Sequence, residues 1–309
     1  STVLGSQDSS STSGDEDENL TLPESVAKKC LPSVAAIDVY TSQSAMSGMY
    51  GYGNGAGPGD GSTLTQSSLG SGVVLTDGGY IITNYHVVEG GEAFKVTIEG
   101  EQYDADVVGA DPSSDVAVIK ARDASGLTAI EIGDSDDLVI GEWVMTIGSP
   151  FGLEQSVATG IVSATSRSQI MDSGTDMYGQ STGEATIYPN MIQTDAAINA
   201  GNSGGPLINM NGELIGITTM KLQGNSTEGI SFAIPINEVT TIVEQLKASG
   251  KVNRPFVGIS GKDVSALTSY QKSYMGISLD QTEGLLVTKV AEECPAEKAG
   301  VHVNDILIR

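Results

Sequence analysis

The sequence predicts an all-β-dominated protein, with two small closed β units in tandem followed by a shorter unit of mixed strand and helix. Three observations carry this expectation. Short runs rich in Val, Ile and Thr recur between turn residues, 39 of the 309 residues are glycine, and one stretch alone keeps a sustained helical period. Strands of that length and spacing close into barrels or sandwiches.

Composition removes several function classes. Apolar residues make up 39% of the chain and aromatics 5%, enough for an ordinary core. No run of roughly 18 apolar residues is present, so no membrane span is expected. Fifteen basic against 39 acidic residues give a net charge of −24. That charge repels a phosphate backbone and an anionic membrane, so no nucleic-acid partner is expected. Cys30 and Cys294 stand far apart and outside any CxxC pair. Neither a zinc site nor a disulfide framework is expected; two unpaired thiols is the first reading and one long-range bridge the alternative. No metal or cofactor is expected.

Residues 1–27 read as a disordered linker, Ser/Thr-rich and then acidic through Gly14-Asp15-Glu16-Asp17-Glu18, unable to bury apolar surface and self-repelling. Strand pattern begins at Leu31 to Val39. Ser42 to Ser68, full of Gly, Tyr and Ser, reads as a long mobile loop. The first β unit then follows as Gly72–Leu75, Tyr80–Thr83, Ala93–Ile98, Tyr103–Val108 and Val116–Lys120. A second series comprises Trp143–Gly148, Val157–Ser163, Met191–Thr194, Pro206–Asn209, Leu214–Thr218 and Gly229–Ile234. Val239, Ile242, Val243 and Leu246 follow helical spacing up to Gly250, with Asn237 as the expected N-cap. Residues 251–309 form a new compositional unit with strands at Phe256–Ile259 and Gly284–Val290. It has a short helix over Pro295–Ala299 closed by Gly300, and breaks off as a further strand begins.

The chemistry centres on Gly201-Asn202-Ser203-Gly204-Gly205-Pro206-Leu207. Glycines allow positive φ and aim backbone N–H groups toward a flanked hydroxyl, the local arrangement that acyl transfer needs. A serine hydroxyl is a weak nucleophile without a base. Of the two histidines, His302 lies in the final unit, so His86, at the end of the Tyr80–Thr83 strand, is the candidate base. A carboxylate must orient the imidazole. Asp104, Asp106, Asp111, Asp115 and Asp134 lie between His86 and Ser203. Asp115 is preferred because it abuts the apolar strand beginning at Val116, with Asp111 second. The order His, Asp, Ser is that of chymotrypsin.

The blocks Gly70-Ser71-Gly72-Val73, Thr83-Asn84-Tyr85-His86-Val87-Val88, Ser114-Asp115-Val116-Ala117-Val118 and Gly148-Ser149-Pro150-Phe151-Gly152 stand in one order with Gln193 to Asn199, Gly201 to Leu207, Gly229 to Pro235 and Arg254 to Ile259. Together they resemble the HtrA/Deg family of trypsin-like serine proteases over about residues 28–309. The family often has Pro or Arg where Ala200 stands and Gly where Ser231 stands. The resemblance implies a chymotrypsin-like double β-barrel over residues 28–250 and an α+β PDZ domain over 251–309, C-terminally incomplete. It implies a triad of His86, Asp115 and Ser203, with an oxyanion hole at the N–H groups of Gly201 and Ser203. Ala197 stands where trypsins carry the acidic residue that binds Lys or Arg, while Ile198 and Ile230 match the P1 pocket, implying small aliphatic P1 residues. Thr218-Thr219-Met220 matches the strand that pairs with substrate. The segments 167–190 and 221–225 match regulatory loops, and Phe256-Val257-Gly258-Ile259 matches the carboxylate-binding loop of a PDZ domain; an ordinary strand end is the other reading there.

The implied function is ATP-independent endoproteolysis of unfolded or damaged extracytoplasmic proteins, with peptide C-termini as PDZ ligands and a homotrimer as the assembly. A catalytically silent chaperone or PDZ-directed scaffold is the alternative. Because the chain begins at Ser1 with an acidic linker, a removed N-terminal segment tethering it to the outer face of a bacterial membrane is expected, with a periplasmic form as the alternative.

Overall fold

Thr21-Leu22-Pro23-Glu24 carries helix-start chemistry. The computed structural model describes residues 20–42, 64–149, 155–172, 185–199, 201–219 and 229–308. Helix α1 (Leu22–Cys30) begins there, with the Thr21 N–H donating to the Glu24 carboxylate at 2.7 Å and Lys28 and Lys29 in the last turn. The capped start satisfies an orphan N–H, and the terminal charges complement the helix dipole. Val26 and Cys30 are buried at 4% and 1% exposure. The linker expected to run to residue 27 therefore stops short of Leu22, because this segment has an apolar face to bury. Residues 1–19 of that expectation lie outside the described residues.

The first barrel consists of β1 (Val34–Ser42), β2 (Leu64–Val74), β3 (Tyr80–Thr83), β4 (Ala93–Ile98), β5 (Glu101–Asp111) and β6 (Val116–Ala121), closed in the order β1-β2-β3-β6-β5-β4. Between β3 and β4 lies the one-turn helix α2 (Tyr85–Val88). The expected loop over 42–68 is shorter at both ends, since Ser42 pairs with Leu64 and Thr41 with Thr65. Ladder hydrogen bonds use the backbone, so polar side chains extend this hairpin without an apolar pattern to announce it. Residues 43–63 lie outside the described residues.

A short β7 (Glu131–Ile132) leads to the second barrel: β8 (Trp143–Gly148), β9 (Ser156–Asp172), β10 (Ala185–Thr194), β11 (Pro206–Asn209), β12 (Glu213–Thr219) and β13 (Ser231–Pro235). Their order is β11-β8-β9-β10-β13-β12, the β11–β12 pairing closes the barrel, and β7 adds to β12 in parallel. The segment expected as a loop over 167–190 is strand at both ends, with Asp172 paired to Ala185; residues 173–184 lie outside the described residues, as do 221–225.

Helix α3 (Ile236–Ser249) buries Val239, Ile242, Val243 and Leu246, as their spacing requires, and ends at Gly250 with φ 73°. Its N-cap is Pro235, not Asn237. Asn237 Nδ2 instead donates to Asp134 Oδ1 at 2.7 Å, and its N–H donates to the Ser135 hydroxyl at 3.2 Å. The side chain ties the inter-barrel connection to α3, and the helix starts two residues earlier, directly after the fixed φ of Pro235.

Each barrel has its own interior: Ile37, Val96, Ile119 and neighbours in the first, and Val144, Val162, Leu207, Ile215 and neighbours in the second. A third apolar cluster joins them. It takes Val73, Ile82, Val116 and Val118 from the first barrel and Met145, Ile147, Ile208 and Ile217 from the second. Val26 and Cys30 of α1 and Val239 to Leu246 of α3 complete it.

The chain divides at Val252/Asn253. In the second unit, β14 (Ile259–Asp263), β15 (Leu285–Val290) and β16 (Ile306–Leu307) form a three-stranded sheet with α4 (Ser269–Tyr274) and α5 (Pro295–Lys298). Val264, Leu267 and Leu286 form its core. Phe256 to Gly258 were expected as strand and precede it instead. Gly258 has φ 87°, and a Cβ there would lie 2.3 Å from Cys294 Cβ, so the backbone turns before pairing starts.

Among the described residues no helix is long and apolar enough to cross a membrane. Cys30 and Cys294 are free and buried. Burial pushes the Cys30 thiol up to about 11. Cys30 is expected to resist iodoacetamide in the folded protein at pH 8 and to react once the chain is denatured, as peptide mass spectrometry will read. Leu246, fully buried in the inter-barrel cluster, is expected to cost about 2–5 kcal/mol on Leu246→Ala in denaturant unfolding.

Candidate active site

Three elements converge where the barrels meet. The loop between β10 and β11 carries Ser203, 5% exposed, between Gly201 with φ 97° and Gly204 with φ 84°. A Cβ at Gly204 would lie 2.3 Å from both Ser71 O and Thr83 Oγ1 of the first barrel. Glycine is therefore required at 204 by close approach as well as by backbone conformation. Within the loop, Asn202 N–H donates to Asn199 O at 2.9 Å and Gly205 N–H to Asn202 O at 3.0 Å. The end of β12 pins it from below: Thr218 O accepts from Gly204 N–H at 2.9 Å, and the Thr218 hydroxyl donates to Asn202 O at 2.6 Å.

His86 sits in α2, directly after β3, so the short helix turns its ring back toward the loop. Its Nε2 lies 3.1 Å from Ser203 Oγ, and its Nδ1 lies 2.8 and 3.0 Å from the two Asp115 oxygens. An ionised carboxylate only accepts, so Nδ1 carries the proton and Nε2 is left to accept from the serine hydroxyl. Asp115 is turned inward by a left-handed backbone, φ 57°, and its side chain is 1% exposed against 25% for His86. Its carboxylate also accepts from the His86 N–H at 3.0 Å and the Thr219 hydroxyl at 2.9 Å.

The other carboxylates weighed for this place are elsewhere. Asp111 accepts from the Ser114 N–H at 3.0 Å, capping the turn before Asp115. Asp106 pairs with Arg122, Asp134 holds Asn237, and Asp104 is exposed on β5. His302 N–H is bonded to Asp305 within the second unit.

Of the expected substrate-side residues, Ala197 is exposed and its carbonyl accepts from the Thr146 hydroxyl at 3.1 Å. Ile198 is buried at 3%, and Ile230 packs against the inter-barrel cluster. Thr218 and Thr219 point their side chains into the site, toward the loop and Asp115. Met220 and Ala200 lie outside the described residues. In the second unit Phe256 and Val257 are 65% and 59% exposed. Val257 O accepts from Ala296 N–H at 3.0 Å and Gly258 O from Ala291 N–H at 2.8 Å, and Ile259 opens β14.

Sequence reasoning missed Ser71. Its N–H donates to Ser203 O at 2.8 Å, its hydroxyl to Gly201 O at 2.5 Å, and the Ser149 N–H donates to that hydroxyl at 2.8 Å. The signal was Gly70-Ser71-Gly72, where a small residue between glycines marks a close backbone approach. Among the described residues no group of three His, Cys, Asp or Glu could hold a metal ion. The arrangement can deprotonate a serine hydroxyl and stabilise the resulting imidazolium.

A trypsin-like peptidase domain profile matches residues 70–217. The chain is 42% identical over 262 residues to the serine protease Do-like HtrA of Bacillus subtilis (strain 168), covering 82% of this chain and 56% of that protein. It is 40% identical over 258 residues to the periplasmic serine endoprotease DegP of Escherichia coli (strain K12), covering 82% and 51%. It thus spans about half the length of the curated relatives it matches. The solved structure of the HtrA-type protease AlgW with a decapeptide aligns with TM-score 0.68 at 33% identity, over 90% of this chain and 82% of that one. The serine endoprotease from Yersinia pestis aligns with TM-score 0.64 at 32% identity, over 93% and 81%.

Ser71→Ala removes the donor to Gly201 O and the acceptor for Ser149 N–H. The rate of fluorophosphonate labelling at Ser203 is expected to fall about tenfold, about 1.4 kcal/mol of barrier, with circular dichroism unchanged.

Proposed function

The chain belongs to the HtrA family of trypsin-like serine proteases, and on that premise we propose that it is an ATP-independent serine endopeptidase acting on unfolded or damaged proteins outside the cytoplasm. The observation that carries the reading is the continuous line of contacts from Asp115 through His86 to Ser203 Oγ, with steps of 2.8 and 3.1 Å.

Ser203 Oγ attacks the scissile carbonyl while His86 Nε2 takes its proton. Asp115 holds the tautomer and stabilises the imidazolium. The N–H groups of Gly201 and of Ser203 itself hold the oxyanion of the tetrahedral intermediate, in a loop where Gly201 and Gly204 take φ values of 97° and 84°. His86 then returns its proton to the leaving amine. A water molecule, deprotonated by the same imidazole, releases the acyl group.

Ala197 offers no counter-charge to a basic P1 side chain, and Ile198 and Ile230 favour small aliphatic P1 residues. Substrate backbone adds at the C-terminal end of β12, beyond Thr218, whose N–H and O are bonded to Gly205 and Gly204. Residues 253–309 form a PDZ unit in which Phe256, Val257, Gly258 and Ile259 accept a peptide C-terminal carboxylate. The exposed Phe256 and Val257 side chains suit a ligand contact. A homotrimer, and attachment to the outer face of a bacterial membrane or a periplasmic location, complete the reading; the DegP relative from E. coli is named periplasmic.

Unfolded casein and a fluorophosphonate probe test it. The wild-type chain is expected to cleave after Val, Ala or Ile and to be labelled, and Ser203→Ala to do neither. No cleavage and no labelling, with client aggregation still suppressed, would favour a chaperone instead.

A further inference from the structure

Asn84 is fully buried, at 0% exposure. It occupies the N-cap position of α2 with extended backbone, φ −80° and ψ 151°, yet its side chain makes no capping hydrogen bond. An asparagine at that position ordinarily uses its oxygen to accept from a first-turn N–H. Here Oδ1 has no partner among the described residues. A buried acceptor left unpaired is unfavourable, so stability of the interior does not account for an amide at this position. The donor side does. Asn84 Nδ2 donates to the Asp115 carbonyl at 3.1 Å, and the Tyr85 N–H donates to the same oxygen at 3.0 Å.

Asp115 depends on such support. Its φ of 57° lies in the left-handed region that a side-chain-bearing residue occupies only when its surroundings over-determine it. Residues 84, 85 and 86 each donate to Asp115, the first two to the carbonyl and His86 to the carboxylate. On its other side the Asn84 backbone N lies 3.1 Å from where a Cβ on Gly204 would sit. The residue is therefore packed between the Asp115 main-chain carbonyl and the nucleophile loop.

We propose that Asn84 is a positioning residue for the reaction. Its amide donor fixes the left-handed backbone of Asp115 and so keeps the carboxylate on His86 Nδ1. Asn84 touches no substrate and acts only through Asp115. This role rests on the reading of Ser203 as the nucleophile.

The test compares wild type, Asn84→Ala, Asp115→Asn and the double variant on a fluorogenic peptide, with thermal unfolding alongside. Asn84→Ala is expected to lower kcat about 10- to 100-fold, the scale of a slightly misplaced catalytic group. KM is expected to stay within about twofold, and Tm to be unchanged or raised. In the Asp115→Asn background the same substitution is expected to change kcat by less than about twofold, since a residue acting only through Asp115 has nothing left to position. A wild-type kcat in Asn84→Ala, or an equal loss in both backgrounds, overturns the role. Asn84→Ser, which keeps a cap-forming residue while removing Nδ2, takes the place of Asn84→Ala if that variant does not fold. Failure of both to fold assigns Asn84 to stability and also overturns it. A wild-type chain that neither cleaves nor is labelled overturns the protease reading and this role with it; an active wild type with an unaffected Asn84→Ala overturns the role alone.

Discussion

The apolar contact between the two barrels is the constraint on which the rest depends. His86 and Asp115 belong to the first barrel and Ser203 to the second, so the 3.1 Å separation of His86 Nε2 and Ser203 Oγ exists only while the barrels keep one register. The seam is built to hold it. Val73, Ile82 and Val118 meet Met145, Ile147 and Ile208 without exposure above 1%, and close-packed interiors transmit displacement rather than absorb it. A directional bond completes the fit, from Ser71 N–H to Ser203 O at 2.8 Å. Apolar burial supplies the attraction, while that bond and the glycine approach at Gly204 supply the register.

Two helices brace the seam from outside. Helix α1 leads through the single turn Leu31–Ser33 into the first barrel's β1, yet Lys29 reaches Glu131 Oε2 at 2.7 Å and Asn211 O at 2.8 Å beside the second. Helix α3 leaves the second barrel and lays Lys247 over the ring of Tyr80 on β3, 4.4 Å from its centroid. Exposed ion pairs and cation–π contacts contribute little individually. Their value here is placement, since each falls beside helix residues already buried in the shared cluster, such as Cys30 and Leu246.

The site itself trades local stability for geometry. Asp115 is held in a left-handed conformation, Asn84 has a buried oxygen with no partner among the described residues, and Gly201 and Gly204 add chain freedom to the unfolded state. Local rules fail together at one place, which is where functional constraint is expected to override them.

Much of the fold was legible because it rests on local pattern: apolar runs for the strands, 3.6 spacing for α3, and Gly250 as its stop. The polar hairpin ends at Ser42 and Leu64 were not legible, because backbone pairing leaves no side-chain signature. The start of α3 was misread at Asn237 because its side chain is drawn to Asp134, a partner 103 residues away. Glycine spacing and the scarcity of histidine singled out Ser203 and His86. Choosing Asp115 over Asp111 from sequence rested on its place before an apolar strand; the structure adds the reason, a left-handed turn that aims one carboxylate at His86 while the other caps Ser114. Residue types and spacing thus determined the barrels and the chemistry available to them. Only tertiary structure brought Ser71, Asn84 and Thr219 to the site, because each meets a neighbour brought close across the fold, and distance in space leaves no trace in the order of the residues.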